Sequence, residues 1–267
     1  MSSVSAAENV APLVLERRQG RVAYLTLNRP AQYNALSEEM LAALEGTLNA
    51  LSTDASVRVV VLGGAGKAFC AGHDLKQMKA NPDLAYYRRL FGDCSRVMMR
   101  IQSLPQPVIA RVHGTATAAG CQLVATCDLA VASNEARFAV SGINVGLFCA
   151  TPSVALSRNV GRKAAFEMLV TGEFVDAQAA LDRGLINRCV PAERLDQEVG
   201  RLADAIAAKP PSVIAAGKAL FYRQLEADIG TAYRLAGEAM ACNMVDEIAQ
   251  EGVAAFIEKR SPNWGAD

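Results

Sequence analysis

GKAFCAGHD (Gly66 to Asp74) and HGTATAAGCQLVATCD (His113 to Asp128) are the two stretches from which the fold of this chain is read. Each follows an apolar run of strand type (Val57 to Leu62, Val108 to Val112), crosses a tract of small residues, and leads into a helical pattern. Small residues suit such a tract because the backbone turns tightly there and comes close to something else. The strand, small-residue loop and helix order thus occurs twice, without a fixed residue period.

Working outward, Leu13 to Glu16 and Val22 to Leu27 flank Gln19-Gly20 and read as a hairpin closed by Asn28-Arg29-Pro30. Ser37 is placed to cap a helix whose apolar positions Met40, Leu41, Leu44, Leu48 and Leu51 share one face. The D-L-K-Q run from Asp74 to Gln77 has capping-box spacing, which makes helix capping the first explanation of that carboxylate. A long helix is expected from about Leu84 to Ser103, ended by Leu104-Pro105-Gln106-Pro107, and a shorter one over Cys121 to Thr126. Beyond the strand Leu129 to Ala132 the pattern reads as mostly helical, with helix following helix from about Leu195 to Lys259. Three parts result: a lead-in over residues 1–11, a core over 12–194 and a C-terminal helical region over 195–267.

Composition narrows the partners. Of 267 residues, 51% are hydrophobic and 20% charged, the balance of a globular protein with a sizeable core. Lys plus Arg (27) equals Asp plus Glu (27), so no broad field draws the chain to nucleic acid or to a membrane surface. MSSVSAAENVAP at the start lacks the pattern of a secretory or transit segment, and no apolar run approaches the ~18 residues of a membrane helix. Seven cysteines, odd in number and without a C-x-x-C pair, argue against a disulfide framework or zinc site, and a reducing cytoplasm is expected. With only His73 and His113, a histidine metal site has almost no material, and no metal is expected.

Glycine-rich loops invite nucleotide readings, which fail on the letters. Counting back from Gly66-Lys67 puts Val61 where a Walker A loop needs its first Gly, and Ala68 where it needs Ser or Thr. Gly64-Ala65-Gly66-Lys67-Ala68-Phe69 ends in Phe where a dinucleotide fingerprint needs Gly. Two small-residue loops, each ending a strand and opening a helix, are instead a source of converging backbone N–H groups. Such donors stabilise the oxyanion that forms when a thioester carbonyl reacts, and loss of one costs about 2.7–4 kcal/mol of barrier.

Asn28-Arg29-Pro30 with Asn34-Ala35-Leu36, AFCAGHDLK, QPVIARVHG, AAGCQL followed by CDLAVAS, VTGE at 170–173 and GLINRCVP at 184–191 resemble, in order, the crotonase (enoyl-CoA hydratase/isomerase) superfamily over residues 12 to 264. AAGCQL and NVGLFC are most like the subgroup of enoyl-CoA hydratase domain-containing protein three. The resemblance implies an α/β fold, a ClpP/crotonase-like spiral of ββα units with a C-terminal helical trimerisation region, assembled as a homo-trimer or a dimer of trimers. It implies an acyl-CoA ligand, with no cofactor beyond the coenzyme A thioester itself. It also implies oxyanion donors at the backbone N–H of His73 and Ala119. Ala118 and Ala119 stand where relatives show Gly-Gly-Gly, a departure expected to be harmless at negative φ. Ala71, His73, Asp74, Leu75 and Lys76 would lie along the CoA, with Lys67 near its phosphates and Phe256 and Lys259 closing the nucleotide end from an adjacent subunit.

The same resemblance puts the two hydratase glutamates on Gln122 and Gly142, neither of which takes a proton. Losing general acid–base catalysis typically removes a factor of ~10²–10⁴. The sequence therefore supports a nominal enoyl-CoA hydratase/isomerase with weak or altered chemistry, or a non-catalytic acyl-CoA-binding protein. Substituting both Gln122→Glu and Gly142→Glu is expected to create or raise crotonyl-CoA hydration if the surrounding geometry is intact. Among spare groups, Glu173 is read as structural and Asp128 as bonding the backbone of its turn. A nucleophile at Ser141 or Cys149 would need a base beside it, and only His73 or His113 is available. The His73 side chain is expected to point to solvent or to CoA, and His113 to be a buried, hydrogen-bonded strand-end residue.

Overall fold

The computed structural model describes residues 11–264; the lead-in assigned to 1–11 lies, apart from Ala11, outside the described residues. The chain opens with the expected hairpin, β1 (Val14–Gln19) antiparallel to β2 (Val22–Leu27). It continues through α1 (Glu38–Leu51), β3 (Val59–Gly64), β4 (Ala68–Cys70), α2 (Leu75–Ala80), α3 (Leu84–Ser103), β5 (Val108–Val112), β6 (Thr115–Thr117) and α4 (Ala119–Thr126). Next come β7 (Leu129–Ser133), β8 (Arg137–Ala139), α5 (Ala150–Asn159), α6 (Arg162–Thr171), β9 (Val175–Asp176), α7 (Ala177–Asp182) and β10 (Arg188–Val190). Four helices close the chain: α8 (Leu195–Ala207), α9 (Pro211–Leu225), α10 (Ile229–Met244) and α11 (Glu247–Ile257).

Two sheets carry the spiral. One has the order β1-β2-β3-β5-β7-β10, the other β4-β6-β8-β9. Each turn of chain gives a strand to the first sheet and the next short strand to the second: β3 then β4, β5 then β6, β7 then β8. These neighbours run parallel, with Val60 opposite Val108, Ile109 opposite Leu129 and Ala116 opposite Phe138. This is the expected spiral of ββα units, and the near-continuous apolar letters of β3 and β5 are those of strands buried on both faces.

One face packs on α1, α3 and α4, where the four leucines and one methionine read from the sequence on α1 are all buried. The other face, through Val59, Val61, Ile109 and Val131, is covered by Leu195, Val199 and Ala203 of α8. Local signals fix the helix starts: the Ser37 hydroxyl, as anticipated, accepts from the Met40 amide at 3.2 Å, and Asp83, which the sequence reading did not single out, accepts from the Tyr86 amide at 2.9 Å.

Four expectations are revised. The strand read as Val57 to Leu62 begins at Val59 and runs on to Gly64, and the helix read from Cys121 begins at Ala119. The region after Leu129, read as mostly helical, also contains β8, β9 and β10. These strands are two or three residues long, too short to show an alternation of their own. Asp128 does not serve a local turn. Its carboxylate accepts from the Val108 amide (2.7 Å), the Lys218 ammonium (2.6 Å) and the Tyr222 hydroxyl (2.7 Å), tying α9 to the starts of β5 and β7. Lys218 also donates to the Ile101 and Gln106 carbonyls at 2.8 and 3.0 Å, so this buried cation is fully satisfied.

Candidate functional site

The first loop, between β3 and α2, is held from beneath by Asn34. Fully buried, it accepts from the Arg29 amide at 2.9 Å and donates to the Ala65, Ala68 and Phe69 carbonyls. The second loop connects β6 to α4. The two touch at Gly72, which sits at φ +90°; a Cβ there would lie 2.9 Å from the Ala118 Cβ and 3.1 Å from the Ala119 nitrogen. Only glycine allows that approach.

Beyond this contact, His73 is bridged to Leu36 in a manner that uses the amides of Leu36 and Asp74 and leaves its own N–H unused. Ala119 is the first residue of α4, so its N–H has no partner within the helix. Neither amide donates to an acceptor among the described residues, and both residues line the same cavity of about 220 Å³. Its walls are overwhelmingly apolar, with Met78, Phe91, Val145, Leu147, Phe148 and Pro152 the bulky contributors. Among the described residues, no Asp, Glu, Lys or Arg is on them. Positive helix-end potential adds to the second loop, since α4 points its N-terminus there.

The second loop departs from expectation at one residue. Ala119 is helical, but Ala118 adopts φ 52°, ψ −121°, a conformation outside the left-handed helical region and natural only to glycine. It is pinned by its amide, which donates to the Ala139 carbonyl at 2.9 Å, and by its own carbonyl, which accepts from the Gln122 amide at 3.0 Å.

Asp74 caps α2, accepting from the Lys76 and Gln77 amides at 3.0 and 3.2 Å. The reciprocal half of the capping box is redirected: the Gln77 side chain accepts from the Glu38 amide at 3.0 Å and so joins α2 to α1. Asp74 also pairs with Arg29 at 2.8 Å. Burial alone would raise its carboxyl, yet the Arg29 hydrogen bond and the two helix-end amides bring it below the usual carboxylate range. It is a tied structural anion and does not line the cavity.

The His73 side chain, expected to point to solvent or to CoA, is half-buried on the cavity wall, with both ring nitrogens out of reach of solvent. Its ring packs edge-on against Phe91, centroids 5.3 Å apart, and both ring nitrogens are sealed without a hydrogen-bond partner among the described residues. Burial pushes the imidazole below its usual pKa, opposed in part by the Leu36 carbonyl. His113 meets its expectation in part: Nε2 is 2.9 Å from the Gly66 carbonyl, but the residue is half-buried and its Nδ1 has no hydrogen-bond partner among the described residues.

Gln122 is buried, its Oε1 lacks a partner among the described residues, and it is not on the cavity wall. Gly142 does line the cavity, but without room for a larger residue. A Cβ there would lie 2.5 Å from the Leu147 carbonyl oxygen and 2.7 Å from the Cys149 sulfur. The expected gain of hydration from Gln122→Glu with Gly142→Glu is therefore withdrawn: the loop at 142 would have to move before a glutamate fitted. Glu173 is exposed and outside the cavity.

Cys149 accepts from the Gly142 amide at 3.3 Å, and burial raises its thiol, the opposite of an activated nucleophile. Of the residues expected along CoA, Ala71 and Leu75 line the cavity, Leu75 at its exposed edge, whereas Lys67 and Lys76 are exposed outside it. Phe256, 84% exposed, and Lys259 lie at the far end of the chain and do not reach this cavity. Phe91 and Met78, which build the wall from α3 and α2, carried no signal of their own in the sequence beyond lying on amphipathic helices.

Comparison with known proteins agrees along nearly the whole chain. A family model described as enoyl-CoA hydratase/isomerase matches residues 17–267. The mitochondrial enoyl-CoA hydratase domain-containing protein 3 of Rattus norvegicus is 47% identical over 257 residues, 96% of this chain and 86% of that protein. A crystal structure of an enoyl-CoA hydratase from Mycobacterium smegmatis superposes with a TM-score of 0.93 at 64% identity, covering 95% of this chain and 99% of that one. The crystal structure of human enoyl coenzyme A hydratase domain-containing protein 3 gives 0.91 at 45% identity, over 94% of this chain and 100% of that one.

Proposed function

The chain belongs to the enoyl-CoA hydratase/isomerase family, and from that premise we propose that it binds acyl-CoA thioesters with the carbonyl oxygen between the amides of His73 and Ala119. One observation carries the reading: His73 and Ala119, whose amides have no acceptor among the described residues, line a single apolar cavity, where a bound C=O would give them a partner. Thioester binding in such a place polarises the carbonyl and favours enolate-type charge. What the cavity lacks is a carboxylate to move a proton, since Gln122 lies off the wall and Gly142 has no side chain. Hydration of an enoyl-CoA is accordingly weak or absent, and any turnover is of a lyase or isomerase type that leans on the amide pair.

A second reading, a non-catalytic acyl-CoA-binding or regulatory protein, is favoured by the same uncharged wall. Calorimetry with a panel of enoyl-, malonyl- and hydroxyacyl-CoAs, followed by chromatography of the same esters after incubation with the protein, separates the two. Micromolar binding with turnover lost on Ala119→Leu supports the enzyme, binding without turnover supports the regulator, and no binding of any CoA ester refutes both.

Assembly as a trimer or a dimer of trimers belongs to the proposal. Ile229, Tyr233, Met240, Val245, Phe256 and Ile257 leave much apolar side chain exposed on and beside α10 and α11, as an unpaired interface would. In that assembly Phe256 and Lys259 of one copy close the nucleotide end of the next, with Lys67 and Lys76 near the phosphates. A reducing, cytoplasmic setting rests on seven unpaired cysteines; the rat relative is mitochondrial by name. No helix among the described residues is long and apolar enough to cross a membrane.

A further inference from the structure

Thr117 Oγ1 and Ser141 Oγ are 2.8 Å apart, joining the second loop to the segment that follows β8. Two hydroxyls carry two protons, and the bond between them uses one. Neither hydroxyl meets a further protein partner among the described residues, so the pair has one proton left to donate. Ser141 lines the cavity and Thr117 does not, which directs that donor inward when Thr117 gives its proton to Ser141. The other hydroxyl on the wall, Thr151, has no such partner among the described residues to aim it. The His73 ring nitrogens are sealed away. With the shared proton placed that way, Ser141 is, among the described residues, the one hydroxyl on this largely apolar wall that a partner orients.

Resting on the acyl-CoA reading, we propose that Ser141 determines specificity by donating to a neutral carbonyl on the acyl chain beyond the thioester, so that the site selects oxoacyl-CoAs over plain saturated ones. A neutral acceptor is required because the described residues place no Lys or Arg on the walls: a carboxylate would lose its hydration and gain only a hydroxyl. An acyl chain without an acceptor leaves the Ser141 proton buried and unpaired. A buried donor left unsatisfied in this way weakens binding by about tenfold.

The test is calorimetric binding of acetoacetyl-CoA, butyryl-CoA and malonyl-CoA to the full-length protein. Acetoacetyl-CoA should bind about tenfold more tightly than butyryl-CoA, and malonyl-CoA more weakly than both. Ser141→Ala should bring the acetoacetyl-to-butyryl ratio to about one, and Thr117→Val, which keeps the Ser141 hydroxyl but loses its partner, should lower the ratio part of the way. Equal wild-type affinities, a ratio that survives Ser141→Ala, or a preference for malonyl-CoA overturns the inference while leaving the acyl-CoA reading intact. Failure of every ester to bind removes the reading itself. Should Ser141→Ala not fold, an undiminished ratio in Thr117→Val overturns the inference instead.

Discussion

Ala118→Gly should make this protein more stable, although it removes a side chain. At φ 52°, ψ −121° the alanine occupies a conformation that strains an L-residue by about 1–3 kcal/mol. Against that relief stand the extra unfolded-state freedom of glycine, about 0.5–1 kcal/mol, and the loss of one half-buried methyl, about 0.4 kcal/mol. Taking the middle of each range leaves a net gain of about 1 kcal/mol, or a rise of about 2–4 °C in Tm for a chain of this size. Scanning calorimetry reads it directly. The companion substitution Gly72→Ala must destabilise, because its Cβ would lie 2.9 Å from the Ala118 Cβ and 3.0 Å from the Thr117 carbonyl oxygen, at a φ of +90°. Since Ala118→Gly removes the nearest of those obstacles, Gly72→Ala should cost less in that background, a coupling measurable as a double-mutant cycle. An unchanged or lower Tm for Ala118→Gly, with additive effects at the two positions, would refute the claim that strain is held at the contact between the loops.

That contact explains what could and could not be read from the letters. The strand, small-residue loop and helix order located both loops, because glycine and alanine are demanded wherever two backbones approach, and the helix starts at Ser37 and Asp74 followed from local hydrogen bonding. Ala118 shows the limit: the sequence gives its size but not its dihedrals, which follow from where Ala139 holds its amide. Asp128 shows a second limit, as the lysine and tyrosine it binds lie 90 and 94 residues away and have no periodic relation to it. His73 shows a third. A histidine beside a loop glycine reads as turned to solvent or to CoA, and only the packing of α3 brings Phe91 against its ring. The substituted glutamate positions were legible as letters, whereas the crowding by Leu147 and Cys149 that bars a glutamate at 142 was not.

Two further perturbations test the frame that holds the site. Lys218→Met leaves the Asp128 carboxylate buried without its cation and should cost about 3–5 kcal/mol by denaturant titration, with part of that regained in Lys218→Met/Asp128→Asn. A loss below about 1 kcal/mol would mean that α9 is not anchored through this pair. The C-terminal strap responds to acid through Glu251, which accepts from Arg260 at 2.6 and 2.8 Å and from the Asn263 amide at 2.7 Å. Its hydrogen bonds with Arg260 and the Asn263 amide lower the carboxyl to about 2, so the folded strap binds its proton later than the unfolded chain does. The stabilisation is therefore complete above the ordinary value of 4.5 and drains away as pH falls from there toward about 2. Trp264, the single tryptophan, reports it, because its ring lies close beside Gly252 on α11. Its emission should shift to the red across that interval and should already be shifted at neutral pH in Glu251→Gln, with no acid-induced step remaining. A step of the same size in Glu251→Gln would place the titrating group elsewhere.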